Sequence, residues 1–335
     1  MQKKILFILI GLAILSACQT GRRKEVSADG ISVKVIRFDR LQYEAAVLNS
    51  FSAWQKMSTE CPQATKLLVE DVLGIGSANM LNLNERLSAF YSDTLLLRLM
   101  EDATIKFMDV SEIEKGLTQG FKVLRKDIPD FVVPQVYAQI SALNQSVVVG
   151  DSLLGFSIDK YMGADYPLYR NYYYAYQRKS MTPDRIVPDC FTFYLLSYYP
   201  FPWEEGNRTL FDIMVYQGKI AWVVSHILGY DSEGARIMGY SPEEIKWCKK
   251  NKGEVWNYMR RHEHLSATDP MIIRAYTRPD PGIVFKGEKV PSCIGIWMGY
   301  QLIDAYMEQH EDTSIRGLLE RRNFHDLLHE IKIKF

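Results

Sequence analysis

Six histidines are the side chains best suited to bind a metal or move a proton near neutral pH, and two of them have a notable spacing. His325 and His329 lie four residues apart with Asp326 after the first, so a helix would place both imidazoles on one face. This spacing is close to the His-Glu-x-x-His pattern, in which two histidines bind zinc and the glutamate is the base. An aspartate is one methylene shorter and would misplace that base. A third zinc ligand would have to come from upstream, where His310 and Glu311 are candidates.

Two apolar helices are predicted near the middle of the chain, over residues 184–199 and 209–228. Each apolar face has one polar interruption, Asp189 in the first helix and Gln217 in the second. An aspartate and a neutral amide do not replace the three ligands that zinc requires. We therefore expect them either as a hydrogen-bonded pair between packed helices or as part of a groove that binds without cutting. The predicted apolar face of the first helix comprises Ile186, Val187, Cys190, Phe193, Tyr194 and Ser197.

A cluster of six tyrosines lies just before these helices, within residues 166–176. Tyrosine-rich segments either contact ligands and partners or pack half-buried with their hydroxyls in water. Tyr166 and Tyr169 are the candidates for the first role, as part of a contact surface beside Asp189 and Gln217.

The N-terminal sequence has the pattern of a bacterial lipoprotein signal. Two lysines precede an apolar run that is too short to span a bilayer and that ends in Leu15-Ser-Ala-Cys18, a lipobox. The pattern predicts removal of residues 1–17, acylation of Cys18 with chains such as palmitate, and stable membrane attachment. Gln19 stands where an inner-membrane retention signal would have aspartate, and no acidic run follows. These features favour the outer membrane and its periplasmic face.

The mature chain is predicted to be almost neutral. Removal of residues 1–17 takes away two lysines and no acids, which leaves 38 basic and 40 acidic side chains. The basic surface that nucleic acids require is therefore not expected. Four cysteines remain besides Cys18, and their wide spacing favours buried thiols over disulfides, although the compartment permits both. They are Cys61, Cys190, Cys248 and Cys293.

The pattern of apolar residues predicts an α+β fold that is mainly helical. A polar tether over residues 18–31 precedes a single domain over 32–335, in which 32–159 form helices plus a small sheet and 160–335 a helical lobe with the central helix pair. Strands are predicted at 32–38, 131–140, 146–149 and 153–158, and helices near 40–58, 62–74, 84–108 and 112–126.

One further helix, over residues 292–307, carries Gly295 and Gly299 four residues apart. Glycines at this spacing allow another backbone to approach closely. We expect this helix to lie against the central pair.

Several short motifs along the chain are distinctive together, although no single one identifies a family. They are Val33–Asp39, Pro134–Tyr137, Ser157–Gly163, Asp212–Lys219, Gly239–Pro242 with Trp247 and Trp256, and Gly295–Gln301. Together they resemble the gliding motility lipoprotein B (GldB) family of Bacteroidetes, over essentially all of residues 32–310. The resemblance implies an envelope lipoprotein associated with gliding motility and with type IX secretion.

That family is in turn distantly similar to predicted zinc peptidases of zincin fold, which implies a degenerate zincin-like body. In those peptidases a strand hairpin precedes the His-Glu-x-x-His helix, and a Glu-Gly pair follows on the next helix. Here the hairpin corresponds to 133–159, the metal helix to 184–199, and the Glu-Gly pair to Gln217-Gly218. No histidine lies between residues 1 and 225. The resemblance therefore implies no zinc at the expected positions, no cofactor and no enzyme activity.

The main hypothesis is an outer-membrane lipoprotein that faces the periplasm and acts as a pseudo-peptidase scaffold. It would be anchored through acylated Cys18 and would bind other envelope proteins in the groove beside Asp189 and Gln217. One alternative is a metallopeptidase that uses His325 and His329. Another is a module that binds cell-wall glycans through exposed tryptophans, although three of these fit the buried faces of helices better. They are Trp247, Trp256 and Trp297.

Overall fold

The computed structural model describes residues 30–231, 233–279, 284–285 and 287–331. The predicted signal sequence, Cys18 and the predicted tether up to residue 29 lie outside the described residues. The strands are β1 (Val35–Ile36), β2 (Gln135–Gln139), β3 (Val147–Gly150), β4 (Leu153–Ser157), β5 (Val284–Phe285) and β6 (Glu288–Lys289). The helices are α1 (Phe38–Ala46), α2 (Phe51–Thr59), α3 (Pro62–Lys66, continued by a wider π-helical turn over Leu67–Val72), α4 (Leu83–Phe90), α5 (Thr94–Lys106), α6 (Ser111–Asp127), α7 (Tyr169–Tyr172), α8 (Ala175–Arg178), α9 (Ile186–Tyr198), α10 (Leu210–Ile227), α11 (Ala235–Met238), α12 (Pro242–Arg261), α13 (Pro270–Thr277), α14 (Ile294–Gln309), α15 (Ile315–Glu320) and α16 (His325–Glu330).

The main sheet has the strand order β1-β2-β4-β3, with β3 antiparallel to β4 and the other pairs parallel. The mainly helical α+β prediction is confirmed, and β2, β3 and β4 lie within a few residues of their predicted positions. The first strand was predicted to be longer than it is. The backbone N–H groups of Val33 and Val35 donate to Thr118 and Glu114 on α6 instead of to another strand, so the sheet pairing begins only at Val35.

Two of the predicted long helices are each divided in two. The first breaks between α1 and α2, where Asn49 has φ of +51° and the Ser50 side chain accepts the N–H of Ala53. The other breaks before α5, where the Asp93 carboxylate accepts the N–H groups of Leu95 and Leu96. Such N-caps satisfy backbone donors that a continuous helix would bond internally. The two-stranded β5–β6 ladder was not predicted.

The prediction that the glycine-bearing helix packs on the central pair is confirmed for α10, the second helix of that pair. Helix α14 crosses α10 so closely that a Cβ at Gly299 would lie 1.9 Å from the carbonyl oxygen of Met214. A Cβ at Gly218 would lie 2.3 Å from the carbonyl carbon of Gly299. Gly295 faces Tyr276 of α13 instead. The two helices are therefore in backbone contact where these two glycines meet.

A buried lysine joins the C-terminal segment to α10. Lys219 is 3% exposed, and its Nζ donates to the carbonyl oxygens of Leu319 (2.9 Å) and Arg321 (2.8 Å) at the end of α15. A cation at this position complements the partial negative charge at a helix C-terminus. Burial lowers the pKa of Lys219 to about 7, and the nearby Arg322 and Arg321 act in the same direction.

The remaining cysteines and the tryptophans are placed largely as predicted. All four cysteines are free thiols; three are buried, and Cys293 is half-exposed. Trp256 and Trp297 are buried, and Trp247 is half-buried. Among the helices described, none combines the length and the apolar character needed to cross a bilayer.

We expect Gly299→Ala to lower the free energy of unfolding by about 1–3 kcal/mol or more, because the added methyl group forces α14 away from α10. Gly317→Ala is the matched control. Gly317 is an exposed glycine on α15 whose added Cβ would only touch Ser314 at an ordinary distance. This change should leave stability equal or up to ~1 kcal/mol higher. Chemical denaturation measures both, and equal curves for the two variants would contradict the backbone contact.

The lowered pKa of Lys219 predicts that stability rises with pH in the alkaline range. Between about pH 7 and the ordinary lysine value, the unfolded chain holds a proton on this amine that the folded chain has lost. We expect the wild type to gain roughly 2 kcal/mol between pH 7 and 9 relative to Lys219→Met, which cannot titrate at this position. Urea denaturation at both pH values measures the difference. Parallel pH dependence in the two proteins would mean that the folded lysine has an ordinary pKa.

Candidate functional site

A cavity of about 350 Å³ lies between α9, α10 and the start of α14, and both predicted polar interruptions line it. Asp189 projects from α9 and Gln217 from α10. Most of the other lining side chains are apolar. They include Phe193, Leu196, Ile220, Ala221, Ile237, Met238 and Ile296. We call this hollow the central cavity.

Asp189 is held by two partners. Its Oδ1 accepts from Arg185 Nη2 at 2.9 Å, and its Oδ2 accepts from the Tyr161 hydroxyl at 3.0 Å. Burial raises the pKa of Asp189, while Arg185 and the Tyr161 hydrogen bond oppose that rise. The pKa of Tyr161 is also raised, by its own burial and by the neighbouring carboxylate. Asp189 therefore belongs to an ion pair with Arg185, and no hydrogen bond joins it to Gln217 among the contacts described.

Gln217 has an unused hydrogen-bonding group. Its Oε1 is buried and lacks a hydrogen-bond partner. The expected polar pair across the helices is therefore not formed, because Asp189 bonds to Arg185 and Tyr161 instead. Arg185 also has one buried polar atom without a hydrogen-bond partner, its Nε. Its Nη1 donates to the carbonyl oxygens of Arg236 and Ile237. Two residues that line the central cavity thus each contain one buried polar atom without a hydrogen-bond partner, Oε1 of Gln217 and Nε of Arg185.

The mouth of the central cavity is aromatic and basic. Phe193 was predicted on the inward face of its helix, but it is 44% exposed and borders the opening, because α9 turns Phe191 towards the core at this level. Tyr176 lines the opening and stacks against the exposed Tyr174. The exposed Arg278 lies at the same rim.

Tyr166 and Tyr169 do not line the central cavity, and this part of the predicted contact surface is wrong. Tyr169 is fully buried, and its hydroxyl donates to the carbonyl oxygen of Asp159 and accepts from the Met162 N–H. Tyr166 is half-buried, and its hydroxyl donates to Asp102 on α5 at 2.8 Å. Both tyrosines use their hydroxyls to fasten the segment after the sheet to the body, so they serve packing.

Arg185 and Cys293 are among the cavity-wall residues that the sequence analysis did not place at the site. Arg185 precedes Asp189 by four residues, and the preference of opposite charges for this helical spacing was a usable signal. Cys293, the residue before α14, has φ of +57°, and its Sγ lies 3.6 Å from the carbonyl oxygen of Thr277. Left-handed conformations are uncommon for residues other than glycine, and no sequence pattern indicated one at this cysteine.

The histidine pair lies apart from the central cavity, on the short helix α16. The His325 ring packs against Phe211 at a tilt of 34°, and its Nε2 is 3.2 Å from Oδ1 of the buried Asp212. Asp212 also caps the start of α10, because its Oδ2 accepts from the backbone N–H groups of Arg208 and Thr209. His329 is exposed. Within the part of the chain that the structure describes, no three histidine, cysteine, aspartate or glutamate side chains are grouped so that they could hold a metal ion.

Comparison with known proteins gives one match. A family model described as gliding motility protein GldB matches residues 19–334, nearly the whole chain. Neither the search of curated proteins nor that of solved structures returned a match. The distant similarity to zincin peptidases thus stays a prediction. The chain belongs to the gliding motility protein GldB family of lipoproteins.

Proposed function

We propose that this chain is a lipid-anchored envelope protein that binds a partner polypeptide in the central cavity and carries out no reaction on it. In this proposal acylated Cys18 attaches it to the outer membrane, and the folded body faces the periplasm. There it serves as a scaffold for other envelope proteins in gliding motility or type IX secretion. Membership of the GldB family supports the association with motility, and the lipobox at residues 15–18 supports the anchor.

The unpaired amide of Gln217 carries the proposal of a polypeptide ligand. A buried polar atom without a hydrogen bond costs free energy, and a bound ligand that supplies the missing partner recovers it. A backbone peptide group has both an N–H and a C=O, so it would pair with the Gln217 amide in either orientation of that amide. The apolar lining would receive a hydrophobic side chain of the same segment.

The bonding of Asp189 supports binding without reaction. A general base takes up a proton from a substrate or water, so its basicity decides its use. Arg185 and Tyr161 each donate to one oxygen of Asp189, and both lower the pKa of this carboxyl against the rise that burial causes. Gln217, which stands where the resemblance to peptidases would place a glutamate, is uncharged and provides no base.

Replacement of Gln217 tests its role in ligand binding, because stability and partner binding should change in opposite directions. Gln217→Leu removes a buried group that lacks a partner in the free protein, so the free energy of unfolding should rise by up to ~1 kcal/mol. The same change removes the hydrogen bond to the ligand, so partner binding should fall about tenfold. Denaturation measures the first effect. A variant that is stabilised and binds equally well would contradict a role for the amide.

Partner binding is measured by photo-crosslinking in intact envelopes, with a photoreactive amino acid in place of Phe193. The matched control carries it in place of Tyr198, which is on the same helix and equally exposed at 44% but does not line the central cavity. We expect a defined adduct from position 193, weaker in the Gln217→Leu background, and none from position 198. Equal adducts from both positions would argue against the cavity as the binding site.

The metallopeptidase alternative is tested separately at α16. If the proposal is right, His325→Ala and His329→Ala leave the crosslink at position 193 unchanged, because neither histidine lines the central cavity. Metal analysis and cleavage assays accompany the measurement. Stoichiometric zinc, together with a peptidase activity that both substitutions abolish, would replace the scaffold by an enzyme.

A further inference from the structure

Two exposed apolar side chains lie side by side at the end of α5. Ile105, in the last turn of the helix, is 67% exposed, and Met108, just after it, is 68% exposed. The Met108 N–H donates to the Ile105 carbonyl oxygen, so the two residues are adjacent in one turn. Lys106 lies between them and is also exposed. Neither apolar side chain contributes to the core or to the central cavity.

The first described residues of the chain lead along α6 to these side chains. The segment before α1 runs along α6, where Lys34 pairs with Glu114. The guanidinium groups of Arg37 and Arg40 then donate to the carbonyl oxygen of Met108 at 3.2 and 2.8 Å. The exposed turn is therefore fastened directly to the segment that follows the tether.

The tether limits how far this end of the body can lie from the membrane. Twelve peptide units separate Cys18 from Gly30, the first residue that the structure describes. Even fully extended, they span only about 40 Å. A bilayer that holds the acyl chains of Cys18 is thus always within about that distance of Gly30, so its local concentration at the neighbouring turn is high.

The charges around the exposed turn suit an anionic surface. Arg40 and Lys106 are exposed, and no carboxylate pairs with either among the contacts described. Arg37 is neutralised by the buried Asp39. Two exposed carboxylates lie beside Lys106 around a neighbouring hollow: Asp109 accepts from the Ser111 N–H and hydroxyl, and Glu112 pairs with Lys115. Apolar side chains flanked by unpaired cations are typical of protein faces that rest on anionic lipid headgroups.

We propose that the turn formed by Arg40, Ile105, Lys106 and Met108 is a membrane-docking face, by which the body rests on the anionic bilayer that anchors Cys18. Ile105 and Met108 enter the headgroup region, and Arg40 and Lys106 contact lipid phosphates. The central cavity is a separate site, so this inference goes beyond the proposed function. It does rest on the acylation of Cys18.

The test uses the mature lipidated chain reconstituted into vesicles of phosphatidylethanolamine and phosphatidylglycerol that contain lipids with a nitroxide quencher. A fluorescent amino acid replaces Met108 in one sample. In the matched control it replaces Met271, which is 70% exposed on α13. We expect quenching at position 108 to exceed that at position 271 at least twofold. Equal quenching at the two positions would overturn the docking face.

The contribution of the Arg40 and Lys106 charges to membrane docking is tested by a separate double variant with its own control. Arg40→Gln combined with Lys106→Gln should reduce quenching at position 108 towards the level seen in uncharged phosphatidylcholine vesicles. Lys246→Gln with Lys250→Gln, an equal charge change at exposed positions of α12, should not. If both pairs of substitutions act alike, the cations of the turn are not the contacts.

A mass spectrum of the reconstituted chain separates this inference from the anchoring. A chain without acyl groups would contradict the proposed attachment through Cys18 and the docking face together. An acylated chain without quenching at position 108 would contradict the docking face alone.

Discussion

The contact between α10 and α14 is the constraint on which the architecture depends. At Gly218 and Gly299 the two backbones approach until any side chain at either position would collide with main-chain atoms of the other helix. Packing of this kind leaves no room for adjustment, since protein interiors are as dense as organic crystals. Helix α13 adds to it where Gly295 meets Tyr276. These helices therefore behave as one rigid wall, against which the other elements are arranged.

The contact between α10 and α14 fixes the positions of several residues that line the central cavity. Gln217 immediately precedes Gly218, so the position of its amide follows from where the two backbones touch. Ile296 and Cys293, at the start of α14, complete the same side of the cavity. The opposite side is formed by α9, where Arg185 and Asp189 neutralise each other. In the proposed complex a ligand would meet Gln217 on one side and an apolar surface with the Arg185–Asp189 ion pair on the other.

Periodicity was sufficient to predict the features that depend on burial alone. The three longer strands, the central helices and the inward direction of Asp189 and Gln217 all follow from apolar spacing. What the sequence did not reveal depends on contacts between distant residues. Tyr169 is buried because its hydroxyl forms hydrogen bonds with the backbone of Asp159 and Met162, and the sequence pattern does not show that these groups meet. Equally, β1 is short because Glu114, nearly eighty residues away, takes the amide of Val35. The breaks at Ser50 and Asp93 are the exception, since both are ordinary capping residues whose signal was present.

The bond between Lys219 and the end of α15 has a consequence for how the core is completed. The ammonium lies about a hundred residues before the two carbonyl groups that receive it. Without those acceptors it has only water as a partner, and withdrawing it from water is unfavourable. Closing the core on that side of α10 therefore requires residues 319–321, a hundred positions away, to be in place. This part of the core is completed by a long-range contact, and a chain that lacks those residues would leave the amine without its acceptors.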